Sequence, residues 1–86
     1  MKQLVNNLKR RKELKEELKL HQINLYALKV KFDSINQELD SIAEGKLVAD
    51  EAHVGTLLQL KIKCQQDAAE HSFAIIDIED KLKELF

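Results

Sequence analysis

Apolar residues recur along the first half of the chain in an unbroken alternation of three and four. The alternation starts at Leu4 and ends at Ile42, and nine of its twelve positions are apolar. A second tract runs from Val54 to Leu85, with eight apolar residues in ten positions. This spacing keeps one stripe of a helix against a neighbouring helix, as in a coiled coil. The pattern therefore predicts two long helices and no strand.

The segment between the two tracts carries the signals of a turn. Gly45 suits the left-handed backbone conformation that ends many helices, and Asp50 suits the cap of the next helix. We therefore expect an all-α fold, a long antiparallel two-helix coiled-coil hairpin. The expected organisation is a single domain over 1–86, with helix one at about 3–44, the turn at about 45–49 and helix two at about 50–85. The alternative is one continuous helix through Gly45, because glycine costs only about 1 kcal/mol inside a helix.

Composition narrows the class of protein. The 86 residues include no Pro and no Trp, and 34% are charged, which is typical of long helices. A formal net charge of −1 gives no overall attraction to nucleic acid or to an anionic membrane. Cys64 is the only cysteine, so no disulfide can form within the chain. No apolar run reaches the roughly 18 residues of a membrane span. We expect a cytoplasmic protein.

The two ends of the chain carry opposite charge. Residues 1–20 hold seven Lys or Arg against three Glu, and residues 67–86 hold six acidic residues against two Lys. A hairpin lays these ends side by side, whereas a parallel dimer of helix one would bring like charges together. The basic run at residues 9–12 is accordingly interpreted as a solvated face that pairs with helix two. A nucleic-acid patch is the alternative interpretation of that run.

Both helices carry more apolar residues than one seam requires. Leu20, Ile23, Ala27 and Val30 form a second ladder on helix one, and further apolar residues widen the face of helix two. Burying a large apolar side chain contributes about 1.5–3 kcal/mol, so we expect this surface to be covered. Self-association into a four-helix bundle or docking of a foreign helix would cover it. The predicted partner-binding residues are Leu20, Ile23, Val30, Leu58, Ile62, Ala69, Phe73 and Ile76.

Candidate chemistry is sparse. His21 and His71 occupy seam positions, and folding about residue 47 would bring their imidazoles close together. Cys64 lies two turns before His71, about 10 Å along the helix, too far to share a metal ion. Polar seam residues commonly fix helix register, and a pH-sensitive interface is a further hypothesis. No carboxylates converge, so we predict no enzyme, no catalytic residue, no metal site and no cofactor.

Two segments of the chain resemble a known family. Residues 39–45 (LDSIAEG) end helix one in a glycine turn, and residues 68–78 (AAEHSFAIIDI) form an Ala- and Ile-rich part of helix two. From Leu39 onward the chain resembles the YscE-like small helical-hairpin co-chaperones of bacterial type III secretion systems. Members of that family pair with a helical-repeat chaperone and keep the needle subunit from polymerising. The resemblance implies a small chaperone or adaptor that sequesters a helical partner. It places the docking face on helix two, at Leu58, Ile62, Ala69, Phe73 and Ile76.

Two other functions remain open from the sequence. A homodimeric four-helix bundle could bind RNA, as the small plasmid RNA-binding dimers do. That function would require Lys9, Arg10, Lys12 and Lys19 to lie unpaired on one face. The third class is a purely structural coiled coil with no foreign partner. All three involve a helical protein partner or a homo-oligomer, and none involves a membrane.

Overall fold

The chain folds into an antiparallel pair of long helices. The computed structural model describes the backbone of residues 2–85 and the side chains of residues 3–85. Helix α1 spans Lys2–Ala43 and helix α2 spans Glu51–Leu85, with no strand in this part of the chain. Together they make a rod with extents of 66 × 15 × 15 Å. The predicted all-α hairpin is confirmed, and the continuous helix through Gly45 is not observed.

The turn is built from the two capping residues that the sequence indicates. Gly45 adopts a φ of 78°, which is readily accessible to glycine alone. The amide of Gly45 donates to the carbonyl of Ile42 at 3.1 Å, and that of Lys46 donates to Ser41 at 2.9 Å. These two bonds satisfy carbonyls at the end of α1 in the Schellman arrangement. At the start of α2, a carboxylate oxygen of Asp50 accepts the amide of His53 at 2.8 Å.

Burial within the hairpin separates the two kinds of seam position. We letter each tract as a heptad in which Leu4 and Val54 are a positions, so that the seam alternates a, d, a, d. No a position is buried among the described side chains. The five residues that are buried over 3–85 are all d positions: Leu14, Ile35, Leu57, Cys64 and Ile78. The d layers therefore form the centre of the helix contact.

The best-packed part of the core lies in the half of the rod that contains the turn. Ile35, Leu57 and Cys64 form a buried cluster, and four partly buried residues of α1 pack against it: Leu28, Phe32, Leu39 and Ile42. Towards the free ends, the layer at His21 and His71 interrupts the aliphatic core with a pair of polar rings. The contact between the imidazoles also defines the antiparallel register. A residue a given number of positions after His21 lies across the hairpin from the residue the same number of positions before His71.

The a layers contain residues that cannot fill the space between two helices. The register places Ala68 across from Leu25 and Lys61 across from Phe32, so each of these layers has one small or charged member. The ammonium of Lys61 lies 5.5 Å from the centroid of the Phe32 ring, a cation–π contact. On the surface of each helix, the e and b positions lie beside the a positions, and the g and c positions lie beside the d positions. We call these two faces of the hairpin the a side and the d side.

Candidate docking groove

A groove of about 750 Å³ runs along the a side at the middle of the hairpin. Both helices contribute to it, through a, e and b positions and the neighbouring d positions. Its lining residues are Gln22, Leu25, Tyr26, Leu28, Lys29, Phe32, Cys64, Gln65, Ala68, Ala69 and Ser72. The surface is predominantly apolar, with a few polar groups at the rim. A concave apolar surface of this kind is suited to receive the apolar stripe of a helix.

Small side chains on α2 create the groove. Ala68, Ala69 and Ser72 give α2 a low surface where α1 presents Leu25 and the exposed ring of Tyr26. With leucine or isoleucine at these positions the space would be filled from within the chain. Tyr26 is 70% exposed and forms part of the rim, and its aromatic ring carries a large apolar surface. The groove therefore leaves apolar area in water that a second molecule can cover.

Two side-chain contacts lie at the levels along the rod where the lining of the groove ends, although Lys61, His21 and His71 do not belong to that lining. Towards the turn, Lys61 lies over the ring of Phe32. Towards the free ends, the Nδ1 atoms of His21 and His71 are 2.8 Å apart, and their rings are tilted by 55° with centroids 5.1 Å apart. One ring must donate its N–H and the other must accept with its lone pair, so this hydrogen bond requires at least one neutral imidazole. The close approach of the two imidazoles follows the expectation from the sequence.

The eight predicted partner-binding residues are all exposed, but they do not share one face. The seven large ones are between 47% and 72% exposed, and Ala69 is exposed as well. Ala69 is the one that lines the groove, and Ile62 and Ile76 continue its line one heptad to either side, at b positions. Leu58, at e, lies on the same side. Their role in binding stays a prediction.

The remaining predicted residues point elsewhere. On α1, Leu20 is a c position, and Ile23 and Val30 are f positions, on the outer surface of that helix. On α2, Phe73 is also an f position, and the residue is 72% exposed. The α1 ladder and the α2 stripe therefore belong to different faces of the hairpin. No single flat partner covers both.

The sequence reasoning missed the α1 wall of the groove. That wall consists of Gln22, Tyr26 and Lys29, at e and b positions. A signal was present in the heptad lettering, because four of the five extra apolar residues of α2 lie at b and e. In an antiparallel pair, positions e and b of the two helices border the same groove. The residues of α1 that share a face with Ile62 and Ala69 are therefore its own e and b residues.

Basic residues extend the a side towards the free end of α1. A second groove of about 420 Å³ is lined by Leu8, Arg11, Lys12, Lys15, Glu16 and Lys19. Lys12 and Lys19 are b positions on this side, whereas Lys9 is an f position and Arg10 a g position. Arg10 also pairs with Glu13 of the same helix at 3.5 Å. The four basic residues that an RNA-binding function would require on one face are thus divided.

Outside the two grooves, Lys63 interacts with an acidic residue of its own helix. The carboxylate of Asp67 accepts a hydrogen bond from Lys63 at 3.1 Å, and this bond, with the negative charge, raises the pKa of Lys63 above 10.5.

Among residues 3–85, no group of three His, Cys, Asp or Glu side chains is placed to hold a metal ion. Cys64 is a buried free thiol. Neither helix, over the described residues, is apolar enough for long enough to cross a membrane.

Comparisons with known proteins leave the groove to be interpreted on its geometry. Protein-family models, curated proteins and solved structures give no match to this chain. The resemblance to the YscE-like co-chaperones thus rests on residues 39–45 and 68–78 alone. The fold by itself does not indicate a function, because helical hairpins serve many.

Proposed function

We propose that this chain is a non-catalytic helical interaction module, a small chaperone or adaptor that binds an amphipathic helix of a partner protein. The observation that carries the proposal is the apolar groove on the a side, between Tyr26 and Ala69. A client helix laid in the groove would complete a three-helix arrangement and place its apolar stripe against the half-buried a layers. Covering that stripe would keep the client from associating with other helices.

The cellular setting is the finer part of the proposal. On the basis of the YscE-like resemblance, the proposed setting is the cytoplasm and a type III secretion system, where the chain would hold a helical client before export. A single unpaired cysteine fits a reducing compartment. The groove supports binding of a helix whatever this setting is, so the two parts of the proposal stand separately.

Tyr26 provides a direct reporter of groove occupancy. It is the only tyrosine, and the chain has no tryptophan, so intrinsic fluorescence excited near 280 nm comes from a groove residue. The probe is a synthetic four-heptad peptide with leucine at a and d positions and no aromatic residue. Titration should change the Tyr26 emission in a saturable manner. A scrambled peptide of the same composition should leave the emission unchanged.

Two alanines offer a matched pair of variants. Ala69 lines the groove, while Ala27 lies at a c position on the d side; both are exposed and helical. Ala69→Glu places an unpaired carboxylate in the groove and should weaken peptide binding at least tenfold, because burying that charge is costly. Ala27→Glu should bind as the unaltered chain does. Equal binding by the two variants, or no response of Tyr26 to the peptide, would overturn the proposal.

A further inference from the structure

The charged b positions of α1 are sorted by sign along the rod. Lys12 and Lys19 lie at b positions near the free end, and Asp33 and Asp40 lie at b positions near the turn. Within residues 3–85, none of these four side chains takes part in a salt bridge, since the pairs there involve other residues. They are therefore free to interact with another molecule.

The spacing of these charges is symmetric about Tyr26. Lys12 and Asp40 each lie fourteen residues from Tyr26, or about 21 Å along the helix. Lys19 and Asp33 each lie seven residues away, or about 10 Å. A two-fold axis perpendicular to the rod at the level of Tyr26 therefore exchanges each lysine with an aspartate. Two copies related by this axis bring Lys12 and Lys19 opposite the second copy's Asp40 and Asp33.

The same axis gives complementary contacts on α2. The pairing of His21 with His71 places α2 residues 66–67 at the level of Tyr26. Leu58 and Ile76 are both exposed and each lie nine residues from Asp67, so each meets the other in the second copy. Glu51 and Lys83, each sixteen residues from Asp67, meet in the same way. At these four positions of α2, an apolar residue thus faces an apolar residue and a charge faces the opposite charge.

The geometry points to a second copy of this chain as an occupant of the groove, in an antiparallel arrangement with turns at opposite ends and Tyr26 at the two-fold axis. The inference rests on the proposed function, because it assigns a partner to the same groove. Such a dimer is an isologous four-helix bundle in which α1 lies against α1 and α2 against α2. It would cover the groove when no client is present and compete with a client for it.

The parallel arrangement of two copies creates unfavourable contacts on the a side. An axis along the rod would face α1 of one copy with α2 of the other at the same level. Asp40 would then lie beside the second copy's Glu51, and Ile76 would lie beside the second copy's Lys15. The first contact opposes like charges, and the second sets an ammonium against an apolar side chain. The antiparallel arrangement avoids both contacts.

The dimensions of the rod leave room for a standard-size interface on the a side. The rod is 66 Å long and about 15 Å across. Standard-size interfaces bury about 800 Å² on each partner, which is less than the product of these two dimensions. The net charge of −1 on each copy adds no strong overall repulsion. The groove and the exposed residues Leu58, Ile62 and Ile76 would supply the apolar centre of the interface.

Charge reversal with complementation tests the axis. The full chain, Lys12→Asp/Lys19→Asp and Asp33→Lys/Asp40→Lys are examined by sedimentation equilibrium from 1 µM to 1 mM. The unaltered chain should form a dimer, and each double variant should dissociate at least tenfold more readily. An equimolar mixture of the two variants should form a heterodimer, because all four pairs then oppose unlike charges. Lys9→Asp/Lys31→Asp is the matched control, with the same change of charge off the a side, and should dimerise normally.

The oligomeric state of the chain and of its charge variants decides the inference. A chain that stays monomeric up to 1 mM overturns the inference, and so does a dimer that the double variants leave unchanged. Failure of the mixed variants to associate overturns the axis, provided that circular dichroism shows both to be helical. Peptide binding detected through Tyr26 in a monomeric chain would leave the proposed function standing. A failure of the dimer inference is therefore distinguishable from a failure of the proposed helix-binding function.

Discussion

The two sides of the hairpin are packed very differently. All five residues that are buried in the described part of the chain are d positions, and the layer of Leu14 and the layer that Ile35 and Leu57 share are closed within the chain. On the a side none of the described seam residues is buried, and the small side chains of Ala68, Ala69 and Ser72 leave a groove beside Tyr26. A seam that is continuous in sequence is therefore only partly covered by one neighbouring helix. The side that the chain leaves open is where a second helical surface fits.

Replacement of adjacent leucines should separate the two sides most clearly. Leu57 is a d position with 5% exposure, and Leu58 is an e position with 47% exposure. Leu57→Ala should lower the free energy of unfolding by about 2–5 kcal/mol, because it removes buried apolar contacts and leaves a cavity. Leu58→Ala in the dilute chain should cost less than about 1 kcal/mol. Chemical denaturation followed by circular dichroism measures both.

The pair of leucine variants also tests the partner surface. At high protein concentration, Leu58→Ala should reduce the concentration dependence of Tm, because that residue contributes to association. Leu57→Ala should lower Tm at every concentration. Equal losses for the two variants in the dilute chain would show that the hairpin closes both sides and would contradict the comparison.

The histidine layer offers a smaller effect on the d side. His71→Leu alone should destabilise the chain by about 1 kcal/mol, because it leaves the half-buried Nδ1 of His21 without its partner. The double variant His21→Leu/His71→Leu should be as stable as the unaltered chain or more stable, since both polar groups are replaced by apolar ones. The two single variants and the double variant form a cycle measured by denaturation. Additive effects would show that the two imidazoles do not interact.

The two glycines should give effects of opposite sign and about 1 kcal/mol or less. Gly55 is a b position of α2, and a Cβ added there meets no atom within 4 Å. Gly55→Ala should therefore raise Tm, because alanine favours a helix by about 1 kcal/mol. Gly45→Ala should lower Tm by a similar free energy, since the φ of 78° strains any L residue with a Cβ. A loss of stability in Gly55→Ala would indicate that the a side is already covered.

The fold could be predicted because its determinants are local. The spacing of Leu4 to Ile42 sets the helical period, while Gly45 and Asp50 mark the turn by their backbone and capping preferences. The close approach of His21 and His71 follows from the same information. An antiparallel fold about a known turn fixes which residues share a level.

The groove could not be predicted in full because a and d positions are alike in sequence. Both carry apolar residues, and only the packing of α1 on α2 decides which kind points to the centre. The predicted stripe on α2 at Ile62 and Ala69 does lie on the a side, whereas the α1 ladder at Leu20 and Ile23 does not. Tyr26 was overlooked because one aromatic residue makes no periodic signal. Tyr26 directly follows the a position Leu25, so its ring borders the groove once the a side is known to be open.

The most direct test of an open a side is to measure how efficiently acrylamide quenches the fluorescence of Tyr26. The measurement is made over a dilution series of the chain and with saturating helical peptide. We expect Tyr26 to be readily quenched in the dilute chain, where its ring is exposed. We expect protection at high concentration or with the peptide, because a second helical surface then covers the groove. Quenching that is equally efficient at every concentration and with the peptide would contradict the account.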